Sequence, residues 1–417
     1  MKNTLRIVAA GGLLLVPLAS VSQSQAGAAK AFTGVRLIDG TDRAPVDNAT
    51  IVVQNGRVLA AGPAARVTIP TGADRVALAG KTVIPGLINA HGHVNDVDRD
   101  LAVYAAYGIT TVYSLGNDTK PELFIAARDA QNTPSLTRAR IFTAGPVLAP
   151  KTPAEAQEMV AKNAAMKVDI IKIRVDPGNN PAAKMSPEVY RAVIAEAHRR
   201  NLRVAVHIVL LEDAQGVMDA GADWIAHSVR DAEVSPSLIA ALKSRNVCLN
   251  PTLMREVSTF VYESTPDFFS DPLFLAHADA KMVETLKDPK RQEAMKNDPG
   301  AQRGKVMLDV ASRNVKKLED AGVTLAMGTD TGPAGRFQGY FELMELELMV
   351  KAGLTPKQAL LSATRDAARC MKVDQSLGTI EAGKWADFVA LNADPLADIK
   401  NIRAIDSVWI AGNRTPR

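Results

Sequence analysis

Cysteine is nearly missing from this chain. Only two occur in 417 residues, Cys248 and Cys370, each among apolar neighbours (Asn246-Val-Cys-Leu and Ala367-Ala-Arg-Cys-Met), and we read them as two buried free thiols. No cysteine follows the N-terminal apolar stretch and no arginine pair precedes it, which argues against a lipid anchor and against export of a folded chain. Net charge is small as well. The formal value is +4 at pH 7, about +2 once Lys2 and Arg6 are set aside, so electrostatics provide no reason to expect nucleic acid or an anionic membrane as partner. No glycine-rich phosphate turn follows the first predicted strand, which speaks against an open doubly wound sheet. Aromatic residues make up 5%, yet the 47% hydrophobic content suffices for a large core, read as one big α/β domain plus a smaller one.

What is present begins with an export signal. Lys2 and Arg6 give a basic start, Ile7 to Ala19 is an apolar stretch too short to span a membrane, and Ser24-Gln25-Ala26 offers small residues for cleavage. Residues 1–26 are therefore expected to be removed, leaving a periplasmic or secreted protein without a stable membrane anchor. Residues 30–82 alternate β-branched positions broken by Asn55-Gly56, a hairpin signal, and residues 376–417 read the same way, so one small β-sandwich built from both termini is expected.

Between them, residues 83–375 alternate short apolar runs with helical stretches. Strands are expected at 83–88, 109–114, 139–144, 169–175, 203–207, 223–227, 246–250 and 324–329, the count and spacing of a closed (β/α)8 TIM-like barrel. Residues 252–300 exceed a connecting helix. Their aromatic content (Phe260, Tyr262, Phe268, Phe269, Phe274) suggests a lid over the barrel mouth.

The chemistry-bearing residues gather at the expected strand ends. His91-Gly92-His93 places two imidazoles on one side of an extended segment, a clamp for a metal. His207 and His227 end two successive strands, and Asp330 ends the last. Lys172 interrupts Asp169-Ile-Ile-Lys-Ile-Arg-Val, with Ile171, Ile173 and Val175 on the opposite face, so its ammonium would point inward at high cost. A neutral amine captured by carbon dioxide would instead be an anion able to bridge two cations; the plainer alternative is pairing with a nearby aspartate. His198 reads as a solvated helix-end residue and His277 as a surface residue of the lid.

At this point the chain resembles the amidohydrolase superfamily. The resemblance is carried by Val83-Ile-Pro-Gly-Leu-Ile-Asn-Ala-His-Gly-His, Gly328-Thr-Asp-Thr-Gly, Ala352-Gly-Leu-Thr-Pro-Lys-Gln-Ala-Leu and Gly378-Thr-Ile-Glu-Ala-Gly-Lys-Trp-Ala-Asp-Phe, which span essentially the mature chain. It looks closest to the branch of imidazolonepropionase-like proteins, Xaa-Arg and Xaa-Pro dipeptidases and ochratoxin-type amidases, where a segment like Val168-Asp-Ile-Ile-Lys172 supplies a carboxylated lysine. The resemblance implies two divalent metals, zinc first, with manganese or cobalt also suitable. His91, His93 and Asp330 would hold the more buried ion, His207 and His227 the outer one, and the Lys172 carbamate would bridge them. A bridging hydroxide would attack, with Asp330 shuttling its proton to the leaving amine. Two departures concern the substrate: the interval from His93 to Lys172 is short, and the segment Gly332-Pro-Ala-Gly-Arg-Phe-Gln-Gly-Tyr lacks a histidine often found there.

The resulting expectation is an exported binuclear amidohydrolase acting on a small molecule of the dipeptide or N-acyl amino acid class. Arg174, Arg230 and Arg255 are the candidate cations for its carboxylate. The alternatives are a lactonase or phosphotriesterase-type hydrolase on the same site, a mononuclear variant in which Lys172 stays unmodified, and a non-catalytic metal-binding protein.

Overall fold

A computed structural model describes residues 1, 28–116, 120–178 and 184–416. The export signal expected over residues 1–26 lies, Met1 apart, outside them. Among the described residues no helix is long and apolar enough to cross a membrane.

Strands β1 (Lys30–Leu37), β2 (Val46–Gln54), β3 (Arg57–Pro63), β4 (Asp74–Ala77) and β5 (Thr82–Pro85) open the chain. The β2–β3 turn is the predicted Asn55-Gly56, with φ of 51° and 76°, the left-handed pair a tight two-residue hairpin needs. The first barrel strand expected at 83–88 is split. Pro85 ends β5, and β6 (Leu87–Gly92) starts a separate parallel sheet after Gly86, where any Cβ would fall 2.1 Å from Thr110 Oγ1.

Parallel strands follow: β7 (Ile109–Ser114) and β8 (Arg140–Thr143) with β6, then β9 (Ile171–Arg174), β10 (Val204–His207), β11 (Trp224–Ala226) and β12 (Cys248–Asn250) in a second sheet. Single parallel bridges join Leu148 to Ile173, Leu249 to Leu325 and Thr331 back to Gly92, so strands and bridges make one circuit. The strand expected at 324–329 is thus reduced to isolated contacts. Within it Gly328 sits where a Cβ would lie 2.7 Å from His91 Cβ, and Asp330 leaves extended backbone at φ 60°.

Five of the described helices start by one local rule. Thr152, Ser186, Ser235, Asp298 and Thr355 each cap a helix through the side-chain oxygen, and each is followed by proline at the first helical position. In the helix Pro187–Arg199, Val189, Tyr190, Val193, Ile194 and Ala197 form the buried stripe.

The chain returns in β13 (Phe388–Leu391), β14 (Ile405–Ile410) and β15 (Asn413–Arg414), which extend the N-terminal strands into one sheet ordered β15-β14-β13-β5-β1-β2-β3, with β4 on β1. What the termini share is therefore a continuous hydrogen-bonded sheet. It curls over a core in which Phe32 meets Phe388 and Trp409 edge-on at 4.9 and 4.7 Å. A buried Arg140–Asp387 pair at 2.6 Å ties it to β8.

Cys248 and Cys370 are joined by a disulfide, with 6.0 Å between Cα atoms, which overturns the expectation of free thiols. The partners are 122 residues apart in sequence. Only the packing of the helix Arg365–Met371 near the start of β12 brings them together. Serine at both positions should lower unfolding free energy by about 2–4 kcal/mol while leaving the bound metal content unchanged. Calorimetry of the double variant, alongside wild type with and without reductant, checks this.

Candidate active site

All six expected metal ligands converge at the C-terminal ends of the parallel strands. His91 is in β6 and His93 just beyond it. Lys172 is the second residue of β9, in register with Ala205 of β10, a small neighbour that leaves room for the lysine chain. His207 ends β10, and His227 follows β11. Ring centroids lie 4.7 Å apart for His91 and His227 and 4.1 Å for His207 and His227. Lys172 Nζ is 3.2 Å from His91 Nε2. Donor atoms of His91, His93 and Asp330 all fall within 4.8 Å of one another.

Two of these residues hold unusual backbone. His227 has φ 77° and Asp330 φ 60°, left-handed conformations that cost a non-glycine residue of order 1 kcal/mol or more and persist where the surroundings impose them. Asp330 is pinned by its N–H, which donates to the His91 carbonyl at 2.7 Å.

Hydrogen bonds select which nitrogens remain free. His93 Nδ1 is 2.8 Å from the Gly116 carbonyl, so that nitrogen carries the proton and Nε2 faces Asp330 Oδ1 at 2.8 Å. His227 Nδ1 bonds Thr252 Oγ1 at 2.7 Å, and its buried Nε2 has no hydrogen-bond partner. His91 Nδ1 is likewise without one. Buried polar atoms are rarely left this way. The set of uncharged nitrogens and one carboxylate fits a divalent metal.

Electrostatics keep the set in ligand form. Burial pushes the His91 and His227 imidazoles well below their ordinary value, helped by Lys172 and by neighbouring histidines respectively. Burial takes His207 to about 3 against the opposing pull of Asp176. Burial also brings Lys172 down to about 7, with Asp330 opposing, so its amine is largely neutral in mildly alkaline solution. Burial alone would raise Asp330, but the His93 hydrogen bond and the Arg336 guanidinium hold it well below the usual carboxylate range.

Several participants escaped the sequence reading. Arg336 Nη1 contacts Asp330 Oδ2 at 2.6 Å, in the segment that lacks the familiar histidine. Asp176 Oδ2 lies 3.0 Å from His207 Nε2. Beneath His91 and Asp330, Glu342 Oε1 accepts from Asn89 Nδ2, Thr329 Oγ1 and Thr331 Oγ1 at 2.6, 2.6 and 2.5 Å, and Asn89 Oδ1 accepts the His91 N–H. Glu345 accepts the N–H groups of Leu253 and Met254, at the start of the helix next to Thr252. Glu342 and Glu345, three residues apart among the buried residues of the helix Tyr340–Lys351, were the available signal.

The three candidate substrate cations line one cavity of about 980 Å³ that includes Asp176 and Glu256. They are not equivalent. Arg174 is committed to Asp176 through two hydrogen bonds of 2.7 and 2.8 Å. Arg230 is buried and ion-paired with Glu256 Oε1 at 2.9 Å, with its Nη2 lacking a hydrogen-bond partner, and Arg255 pairs with the same oxygen at 2.8 Å while its Nε lacks one. The segment 252–300, expected as a lid, supplies part of the cavity wall. Its aromatics face inward, with Phe268, Phe269 and Phe274 packed against Phe337, Tyr340 and Phe341, and Thr259, Asp298 and Gly300 contribute to the cavity wall. His277 packs on Tyr107 at 5.1 Å instead of standing free on the surface. His198 pairs with Asp223 at 2.8 Å.

A sequence model described as "Amidohydrolase family" matches residues 82–415. Ochratoxinase of Aspergillus niger is 27% identical over 281 residues, covering 64% of this chain and 51% of the enzyme, so the chain spans about half the length of that curated relative. A Bifidobacterium longum protein described as a candidate prolidase superposes with a TM-score of 0.77 at 27% identity, over 94% of this chain and 95% of its own. A Xaa-Pro dipeptidase solved with bound methionine shares the fold at TM-score 0.74 and 22% identity, over 94% and 100% of the two chains.

Burial raises the Glu342 carboxyl from 4.5 to about 7. A raised acid stabilises the fold fully below its unfolded value and loses that contribution as pH rises through the folded one. Glu342→Gln, whose amide can occupy the unpartnered Oε2 position, should therefore become progressively more stable than wild type between pH 5 and 8, by up to about 3 kcal/mol. Urea denaturation at both pH values measures the difference; a pH-independent difference would contradict it.

Proposed function

Because the chain belongs to the amidohydrolase family, we propose that it is an exported binuclear metal-dependent hydrolase cleaving the amide bond of a dipeptide or N-acyl amino acid. The circuit of parallel strands is read here as a (β/α)8 barrel, with the site at its C-terminal rim, where such barrels build active sites, and the shared terminal sheet as the small β domain. The observation carrying this reading is the enclosed donor set: four imidazoles, three of them kept neutral by burial, an amine near pKa 7 and one carboxylate, with buried ring nitrogens lacking partners. Export is supported by the basic, apolar and small-residue order of the first 26 residues and by the Cys248–Cys370 disulfide, a bond favoured in oxidising compartments.

His91, His93 and Asp330 would hold one ion, His207 and His227 the other, with Lys172 as a carbamate between them. Zinc suits the imidazole and carboxylate donors. When bound, the ions would polarise the scissile carbonyl and ionise water near neutral pH. Asp330 presents Oδ1 to the histidines and Oδ2 to Arg336. The carboxylate accepts the proton of the attacking water and returns it to the leaving amine, whose departure needs protonation. Arg336 orients that carboxylate. Arg230 and Arg255, which line the cavity beside Glu256 and each keep a buried N–H group without a hydrogen-bond partner, are the candidate cations for a substrate carboxylate.

The tests are direct. N-acyl amino acids and dipeptides should be turned over in preference to lactones and aryl phosphates; turnover of esters alone would replace this reading with the lactonase or phosphotriesterase one. Asp330→Asn should lower kcat by about a hundred- to ten-thousand-fold, and retention of full function would favour a binding protein. Arg230→Met should raise KM for substrates with a free carboxylate far more than for their amides. Elemental analysis should find two metals per chain. A peptide containing Lys172 should carry the added mass of carbon dioxide, and reloading of stripped protein should need bicarbonate and proceed faster above pH 7 than below. One metal with unmodified lysine would overturn the binuclear assignment.

A further inference from the structure

Asp176 lies two residues beyond β9 and is only 4% exposed. A carboxylate is expensive to bury without compensation. Here the compensation comes from one side: Arg174 donates through Nε and Nη2 at 2.7 and 2.8 Å, and the Gly178 N–H donates at 3.1 Å. The other side faces His207, whose Nε2 lies 3.0 Å from Asp176 Oδ2, at a distance suited to a bond though not aligned as one. Asp176 is not among the residues that gather donor atoms with His91, His93 and Asp330.

This placement decides how His207 can act. With Nε2 turned to Asp176, Nδ1 is the nitrogen left for a metal. A neutral imidazole that ligates through one nitrogen carries its proton on the other, and a nearby acceptor fixes both that tautomer and the ring plane. His93 has the Gly116 carbonyl for this purpose and His227 has Thr252 Oγ1. Both are uncharged. His207 is the histidine of the four whose second nitrogen faces a carboxylate other than a candidate ligand.

We infer that Asp176 is a positioning residue: it holds His207 with the proton on Nε2 and so sets the affinity of the outer metal position, while Arg174 holds Asp176 in place. The inference rests on the binuclear reading. It gives Arg174 a task besides substrate binding, with Nε and Nη2 both engaged on Asp176.

Zinc titration of stripped, bicarbonate-treated full-length protein against a chromophoric chelator tests this, with thermal midpoint as a control. In Asp176→Asn the weaker of the two zinc sites should lose about 10- to 100-fold in affinity while the tighter site and the midpoint of the stripped protein stay near wild type. Asp176→Glu should recover part of the loss. Arg174→Gln, which leaves the carboxylate in place, should weaken the same site by less, and should raise KM equally for carboxylated substrates and their amides. Two wild-type affinities in Asp176→Asn would overturn the role of Asp176, as would a parallel loss at both sites with a lowered midpoint. A KM rise confined to carboxylated substrates in Arg174→Gln would return that residue to substrate binding. A wild-type protein that binds a single zinc would instead remove the binuclear reading on which the inference stands.

Discussion

Six titratable side chains brought into one desolvated cavity could not all keep their aqueous charges, since each unpaired buried ion would cost several kcal/mol. The protein meets this by neutralisation on one side and pairing on the other. His91, His207 and His227 are driven below protonation by burial, and Lys172 falls to about 7. Asp330 is held in its ionised form by the His93 hydrogen bond and by Arg336 at 2.6 Å, and Asp176 by His207 at 3.0 Å and Arg174 at 2.7 Å. The same desolvation that makes the cluster costly makes it an effective donor set, because a neutral imidazole offers its lone pair without first releasing a proton.

Holding that set in place engages much of the fold's polar interior. Glu342 gathers Asn89, Thr329 and Thr331 from two ends of the circuit, so the ligand-bearing β6 and the segment around Asp330 are cross-braced below the metals' expected position. Glu345 caps the helix after Thr252, whose own left-handed φ of 50° aims its hydroxyl at His227. These carboxylates are held at about 7 and about 8 by burial. They are costly to ionise, and their hydrogen bonds all lead toward the ligands. Such use of strain and buried polarity is what a site requires and a purely structural core avoids.

Much of this was legible in order along the chain. Strand ends from β6 to β12 fall within a few residues of the positions read from apolar runs, and the Asn55-Gly56 turn is where its dipeptide demands. All six ligand candidates meet, as alternation and strand-end placement suggested. Other features were not legible. The eighth strand is reduced to single bridges, although its backbone still hydrogen-bonds to Leu249 on one side and to Ala90 and His91 on the other. The aromatic run after residue 260 packs on Phe337, Tyr340 and Phe341, residues whose proximity no local pattern announces. The two cysteines looked like isolated thiols for the same reason.

By itself, the sequence determined the chemistry on offer: which residues carry nitrogen and carboxylate donors, their spacing, and their places at the ends of extended segments, because side-chain alternation is a local property of the backbone. Tertiary structure alone decided which partner each donor has. Asp176 against His207, Arg336 against Asp330, Thr252 against His227 and Cys248 against Cys370 are contacts across the fold. Protonation state, tautomer and disulfide bonding depend on distance and desolvation, and those exist only once the strands have closed around the site.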